Sequence, residues 1–215
     1  MATLLEQYGK LQQGQVFASL HFADAYLLNG ALPKIHDDMG VIMDRVPAAE
    51  RKGALDLGAC HGLLSIRAKR MGWTHVHGID IDPRSVELYN KHLKMDGVKL
   101  TAEKIDCRSP DFPAWLKQTC SGIDTIIARR IFSELFSTTY GKAGKEEIVW
   151  RDAGNKFGQA ALGAGIKRII VEGRRWASYK THANPVYRVD VEIDALGAGW
   201  KEVERFKECA ILVPA

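Results

Sequence analysis

The sequence lacks long apolar segments and paired cysteines, and both absences exclude classes of protein. No apolar run approaches the ~20 residues that a membrane-spanning helix needs. Glu6 follows Leu4 and Leu5 at once, so the start does not resemble a signal peptide. The 4 cysteines form no CxxC pair, which disfavours a disulfide-rich or zinc-finger fold. We therefore expect a cytoplasmic protein that does not associate with membranes.

Metal-binding motifs and a strong charge of one sign are also missing. The 7 histidines form no HxxxH or HExxH pattern. His75 and His77 alternate as on a solvated strand face, so no metal site is predicted. The formal net charge of +4 is compatible with an anionic partner but does not require one. With 46% hydrophobic and 26% charged residues, the composition is that of an ordinary globular domain.

Helical spacing of apolar residues gives way near residue 50 to alternating strands and helices. Residues 1–50 predict helices only, and the last of these contains Val41 and Ile42 and ends before Pro47. The strand-like segments after residue 50 are GALDLG, THVHGID, VKLTAEKID, IDTIIA, IKRIIVEG, WKEVERFK and ECAILVPA. Only a tight turn separates the last two, so they must form a hairpin.

This order of elements predicts an α/β fold of the doubly wound class. The sheet is expected to be seven-stranded and mostly parallel, with a terminal antiparallel hairpin. We expect two parts: an N-terminal helical extension, residues 1–50, that covers the site as a lid, and the α/β domain, residues 51–215. Ligands of such sheets bind at the carboxyl ends of the strands.

A glycine-containing turn after the first strand is the most informative motif. Asp56 ends the strand, and Gly58 and Gly62 would let the loop backbone approach a ligand closely. The pattern is D-x-G-x-x-x-G, in which Cys60 replaces the middle glycine of a dinucleotide-binding G-x-G-x-x-G loop. An NAD- or FAD-dependent oxidoreductase is therefore disfavoured.

Acidic residues end the next two predicted strands. Asp80 lies where a carboxylate can accept hydrogen bonds from the hydroxyls of a ribose, about twenty residues after the glycine loop. Asp82 precedes a proline at the start of a helix, so we interpret it as a helix cap. Asp106, followed by Cys107, could accept a hydrogen bond from the amino group of an adenine.

Taken in order, these motifs resemble those of the class I S-adenosylmethionine-dependent methyltransferases. In that family a D/E-x-G-x-G-x-G loop follows the first strand, and acidic residues end the second and third; the D-x-G-A-x-x-G form found here resembles variants of the family. The resemblance covers residues 50–215 and implies S-adenosylmethionine as cofactor. The cofactor-binding residues that it implies are Asp56, Gly58, Ala59, Gly62, Asp80, Ile81, Asp106, Cys107 and Ala128.

Arginines follow the fourth and fifth predicted strands, where the methyl acceptor should bind. Guanidinium groups bind carboxylates and phosphates through paired hydrogen bonds, and a tryptophan could stack on a base. An anionic acceptor, either a small molecule or a nucleic acid, is therefore expected, although Arg130 could simply pair with Glu134 one helical turn later. The predicted acceptor-binding residues are Arg129, Arg130, Arg174, Arg175 and Trp176.

The residues that would accept a proton are less sharply defined. The candidates are Glu134, Tyr179 and His182, and histidine has the intrinsic pKa closest to neutrality. The N/D-P-P-Y/F signature of enzymes that methylate exocyclic amines of bases is absent. The same cofactor residues would also serve a catalytically silent S-adenosylmethionine-binding regulatory module, which is the alternative function.

Overall fold

The computed structural model describes residues 31–60, 62–95, 100–119, 121–136, 146–173 and 189–215. The strands are β1 (Gly53–Leu57), β2 (His75–Asp80), β3 (Thr101–Lys104), β4 (Thr125–Arg129), β5 (Arg168–Glu172), β6 (Trp200–Phe206) and β7 (Cys209–Pro214). The helices are α1 (Ala31–Asp44), α2 (Leu63–Arg70), α3 (Pro83–Met95), α4 (Phe112–Thr119), α5 (Phe132–Leu135), α6 (Glu146–Gly163) and α7 (Val189–Leu196), with one 3-10 turn at Ala48–Glu50.

The seven strands form one sheet in the order β3-β2-β1-β4-β5-β7-β6. The first five strands are parallel, and β7 runs antiparallel to both β5 and β6. This architecture confirms the predicted fold class, including the terminal hairpin. The order reverses at β1, which places the carboxyl ends of β1, β2 and β4 side by side at the topological switch point, where open α/β sheets bind ligands.

The central strands are buried on both faces, which explains their continuous apolar runs. Ile126 and Ile127 are both fully buried, yet they belong to opposite core clusters, because neighbouring side chains of a strand point to opposite faces. One cluster contains residues of α4, α6 and α7, and the other contains residues of α1, α2 and α3. The helices therefore cover the sheet from both sides.

Helix α1 confirms the helix predicted before Pro47, and it packs on the sheet. Met39, Ile42 and Met43 are buried in the core cluster on their side of the sheet, and Lys207 Nζ lies 2.6 Å from Asp38 Oδ1. Residues 1–30 lie outside the described residues, so the lid and the boundary near residue 50 stay predictions.

Among the described residues, no helix combines the length and the apolar character that a membrane span requires. Within the same ranges, no three histidine, cysteine or acidic side chains are grouped as a metal site would require.

Candidate functional site

The glycine loop between β1 and α2 has the backbone conformation that its sequence predicts. Gly58 and Gly62 have φ angles of +66° and +78°, a region that favours glycine. Neither position has room for a side chain. A Cβ at Gly58 would lie 2.8 Å from a side-chain carbon of Ile131, and a Cβ at Gly62 would lie 2.8 Å from the ring of Tyr89. Both glycines are therefore needed for conformation and for packing.

Asp80, at the end of β2, holds the glycine loop. Its Oδ2 accepts a hydrogen bond of 2.9 Å from the backbone N–H of Cys60, and its Oδ1 accepts one of 2.9 Å from the N–H of Asp82. Each carboxylate oxygen has two lone pairs, so Asp80 can also accept from the hydroxyls of a ligand. Asp82 instead bonds to the N–H of Arg84 and the hydroxyl of Ser85, as a helix cap does.

Asp56 is a buried carboxyl group beneath the loop. It is 1% exposed, and the hydroxyl of Ser65 donates to its Oδ2 at 2.6 Å. Burial raises the pKa of Asp56 to about 7, although the hydrogen bonds from Ser65 and the charge of Arg129 oppose this rise. A carboxyl group that is costly to ionise in isolation is well suited to a cationic ligand, which would stabilise its charged form.

The adenine side of the predicted site lies where β2 and β3 end. Ile81, directly after Asp80, is 49% exposed and is one of the few large apolar side chains on the surface of the described part. The Asp106 carboxylate accepts from the side chain and backbone N–H of Arg108, and the Arg108 hydrogen bond lowers the pKa of Asp106. Burial raises the pKa of the neighbouring Cys107 thiol to about 12, so it is neutral at physiological pH.

At the ends of β4 and β5, a buried glutamate forms ion pairs with two arginines. Glu172 is 1% exposed and lies between two guanidinium groups, with Arg129 Nε at 2.9 Å and Arg130 Nε at 2.8 Å. Arg130 also donates its backbone N–H to the carbonyl oxygen of Glu172 at 2.6 Å. Arg130 therefore pairs with Glu172. Its predicted pairing with Glu134 stays a prediction, because the side chain of Glu134 lies outside the described part.

Three residues of the site were not predicted from the sequence. Ser65 bonds to Asp56, the buried ring of Tyr89 packs against the glycine loop, and Glu172 holds the two arginines. Only Glu172 offered a visible clue, since it is an acidic residue that directly follows three apolar residues at the end of β5. The proposed residues Arg174, Arg175, Trp176, Tyr179 and His182 lie in residues 174–188, outside the described ranges.

Proteins of known family are similar to this chain in the region that contains the glycine loop. Residues 41–137 match the family described as "Ribosomal protein L11 methyltransferase (PrmA)", and this segment includes the glycine loop and β1 to β4. The Ribosomal protein L11 methyltransferase of Pelobacter propionicus is 32% identical over 94 residues, which are 44% of this chain and 28% of that protein. Its counterpart in Dechloromonas aromatica is 43% identical over 56 residues, 26% of this chain and 18% of that protein. The chain thus matches less than a third of the length of these relatives.

Solved structures support the fold over a larger part of the chain. A ribosomal protein L11 methylase from Lactobacillus delbrueckii subsp. bulgaricus has a TM-score of 0.52 at 14% identity, covering 85% of this chain and 78% of that one. The PH0226 protein from Pyrococcus horikoshii OT3 has a TM-score of 0.59 at 11% identity, covering 95% and 99%. The sequence match across the glycine loop and the order of the strands agree with the resemblance to the class I S-adenosylmethionine-dependent methyltransferases.

Proposed function

We propose that this protein is an S-adenosylmethionine-dependent methyltransferase whose acceptor meets the cofactor at the carboxyl ends of β4 and β5. The observation that carries the proposal is the bond between Asp80 and the glycine loop. The carboxylate of Asp80 fixes the backbone of Cys60 and lies at the end of β2, where the family places its ribose-binding acid. A loop held open by an acid of the next strand is the expected form of a nucleoside site.

The residues present fit the cofactor along its length. The buried carboxyl group of Asp56 suits a cationic amino acid group, the two glycines suit close approach by the loop, and exposed Ile81 offers an apolar surface for a base. Asp106 and Cys107 would complete the adenine side. The bound cofactor would supply a methyl group that is already activated by its sulfonium.

The chain's own contribution is then positioning and exclusion of water. The side chain of Ile131, just after β4, packs over Gly58 of the glycine loop. The charge of Arg129 at the end of β4 also lowers the pKa of Asp56. The end of β4, on the proposed acceptor side, therefore lies beside the proposed cofactor side. Glu134, Tyr179 and His182 remain the candidates that would accept a proton, if the acceptor has one to lose.

An anionic acceptor is part of this proposal, and its support is the pair of arginines after β4. Small acids, nucleotides and nucleic acids all carry groups that guanidinium forks bind. The relatives that match are named for a ribosomal protein, a class of acceptor that the sequence did not suggest. Ribosomal protein L11 therefore belongs among the acceptors to be tested.

The alternative of a catalytically silent binding module uses the same cofactor residues. The matching relatives are named as methyltransferases, which favours an enzyme. Only the formation of a methylated product separates the two functions, because both require the cofactor to bind.

The first experiment is calorimetric titration of the full chain with S-adenosylhomocysteine, with NAD as the control ligand. Micromolar binding of S-adenosylhomocysteine alone is expected. No binding, or binding of NAD, would overturn the assignment of the cofactor.

The second experiment is transfer of a radiolabelled methyl group from S-adenosylmethionine to nucleotides, RNA, small carboxylic acids and ribosomal protein L11. Labelling of one acceptor class that is lost in Asp80→Ala would establish the enzyme. Cofactor binding without labelling of any acceptor would favour the silent module.

A further inference from the structure

The carboxyl group of Asp56 is enclosed on the side that faces β2. Its partner in the register of the two strands is Gly78. A Cβ at Gly78 would lie 2.6 Å from the ring of Tyr89, so this buried ring takes the place of the missing side chain. Burial raises the pKa of Tyr89, the charge of Asp56 adds to the rise, and the hydroxyl of Ser65 opposes it. The three side chains therefore lie close together beneath the glycine loop.

Ser65 donates the hydrogen bond that holds this carboxyl group. Its side chain is fully buried on α2, and its hydroxyl lies 2.6 Å from Asp56 Oδ2. This distance is typical of a hydroxyl that donates to an ionised carboxylate. Burial raises the pKa of Asp56, and the hydrogen bonds from Ser65 are the strongest influence that lowers it. Ser65 therefore favours the ionised form of Asp56.

The charged groups around Asp56 have weaker and opposing effects. The charge of Asp80, at the end of β2, raises the pKa of Asp56, and the charge of Arg129, at the end of β4, lowers it. Tyr89, the titratable group on α3, stays neutral because its own pKa is raised. Whether Asp56 carries a charge thus depends mainly on its burial and on Ser65.

We infer that Ser65 is a positioning residue for the cofactor, because its hydroxyl orients the Asp56 carboxyl group and favours the ionised form that a cationic amino acid group binds. This inference rests on the proposed function, since it names the residue that prepares one contact of the proposed cofactor site. Binding is then coupled to a proton. The Asp56 carboxyl group releases its proton to the solvent, and the cationic group of the ligand neutralises the carboxylate that remains.

Calorimetric titration of the full chain with S-adenosylhomocysteine, which carries the cationic amino group, tests this coupling. Titrations at about pH 6 and about pH 8, each in PIPES and in imidazole buffer, give the affinity. The difference in heat between the two buffers gives the number of protons released. The parent protein is expected to bind about tenfold more weakly at pH 6 than at pH 8, and to release about one proton per ligand at pH 6. Asp56→Asn should bind weakly at both pH values and release no proton.

Ser65→Ala and Ser85→Ala form a matched pair of variants. Ser85 is also a buried serine, and its hydroxyl donates to Asp82 Oδ2 at 3.0 Å, away from the proposed cofactor residues. Ser65→Ala is expected to weaken binding about tenfold near pH 7 and to move the fall in affinity to a higher pH, whereas Ser85→Ala should keep the affinity and pH profile of the parent protein. Should Ser65→Ala fail to fold, Ser65→Cys supplies a weaker donor of similar size, and its pH profile should move in the same direction.

Three results would overturn the inference: an affinity of the parent protein that is equal at both pH values, proton release that persists in Asp56→Asn, or a Ser65 variant with the pH profile of Ser85→Ala. In all three cases the parent protein still binds S-adenosylhomocysteine, so the positioning role of Ser65 is rejected and the proposed cofactor is not. Failure of the parent protein to bind the ligand at either pH would reject both.

Discussion

The two halves of the sheet edge satisfy their acidic groups in different ways. At the ends of β1 and β2, Asp56 and Asp80 accept from a hydroxyl and from backbone N–H groups of the nearby loop. At the ends of β4 and β5, Glu172 accepts from two guanidinium groups. The hydrogen bonds of the first half join residues at most 20 positions apart in the sequence. The ion pairs of the second half join residues 42 and 43 positions apart.

This difference has a consequence for what each half can do. Asp56 accepts from the hydroxyl of Ser65, a neutral donor, whereas Glu172 accepts from two guanidinium groups. The first half therefore suits the cationic part of the proposed cofactor, and the second half is held by its own ion pairs.

The largest expected effect is on the second half. Glu172→Ala leaves two arginines beside a buried position without their carboxylate, so the free energy of unfolding should fall by about 3–5 kcal/mol. Urea denaturation measures it, with Glu204→Ala as the control. Glu204 pairs with Arg45 at 2.7 Å on the surface, and its loss should cost less than about 1 kcal/mol. Equal losses in both variants would mean that the buried cluster is not a distinct feature.

The next largest effect is the pH dependence of stability that Asp56, in the first half, should cause. The folded protein holds the Asp56 proton up to about pH 7, whereas an unfolded aspartate releases it near the ordinary value of 3.8. The protonated Asp56 therefore contributes its full stabilisation of the folded state below pH 3.8, and this contribution is lost as the pH rises through about 7.

Relative to Asp56→Asn, the parent protein should lose about 2 to 3 kcal/mol of unfolding free energy between roughly pH 5 and pH 8. Urea denaturation at both pH values tests this expectation. Asp106→Asn is the control, because a lowered pKa keeps Asp106 ionised across that range. A constant difference between the parent protein and Asp56→Asn would contradict the raised pKa.

Asp80 and Asp82 sharpen the comparison within the first half. Asp80→Ala should weaken the binding of S-adenosylhomocysteine by about 1.5–3 kcal/mol, because charged hydrogen bonds to the ligand and to the loop are both lost. Calorimetric titration measures the change. Unchanged affinity would remove Asp80 from the cofactor site.

The smallest effect is expected for Asp82→Ala. Loss of the cap on α3 should reduce the free energy of unfolding by about 1 kcal/mol, and the affinity for S-adenosylhomocysteine should stay the same. Thermal unfolding and titration together test the two statements. A large loss of affinity would show that the two neighbouring acids had been assigned to the wrong roles.

The elements of the fold were largely predictable, but some of their ends were not. VKLTAEKID was predicted as one strand, and within its described residues, 100–106, Thr101–Lys104 forms β3 while Ile105 and Asp106 lie beyond its end. This polar edge strand has a partner on one side alone. The helix predicted over VYRVDVEIDALG is observed as Val189–Leu196. Local pattern determines that an element exists, while tertiary contacts determine where it ends.

The sequence by itself determined the class of fold, the glycine loop and the separate positions of Asp80 and Asp82. These features depend on apolar periodicity, on conformations that favour glycine and on helix capping, which act over a few residues. Only the tertiary structure decided that Ser65 contacts Asp56, that the ring of Tyr89 packs against the loop, and that Glu172 binds two arginines of β4 and its exit. Such contacts join residues of different elements, and the pairing of parallel strands brings them together.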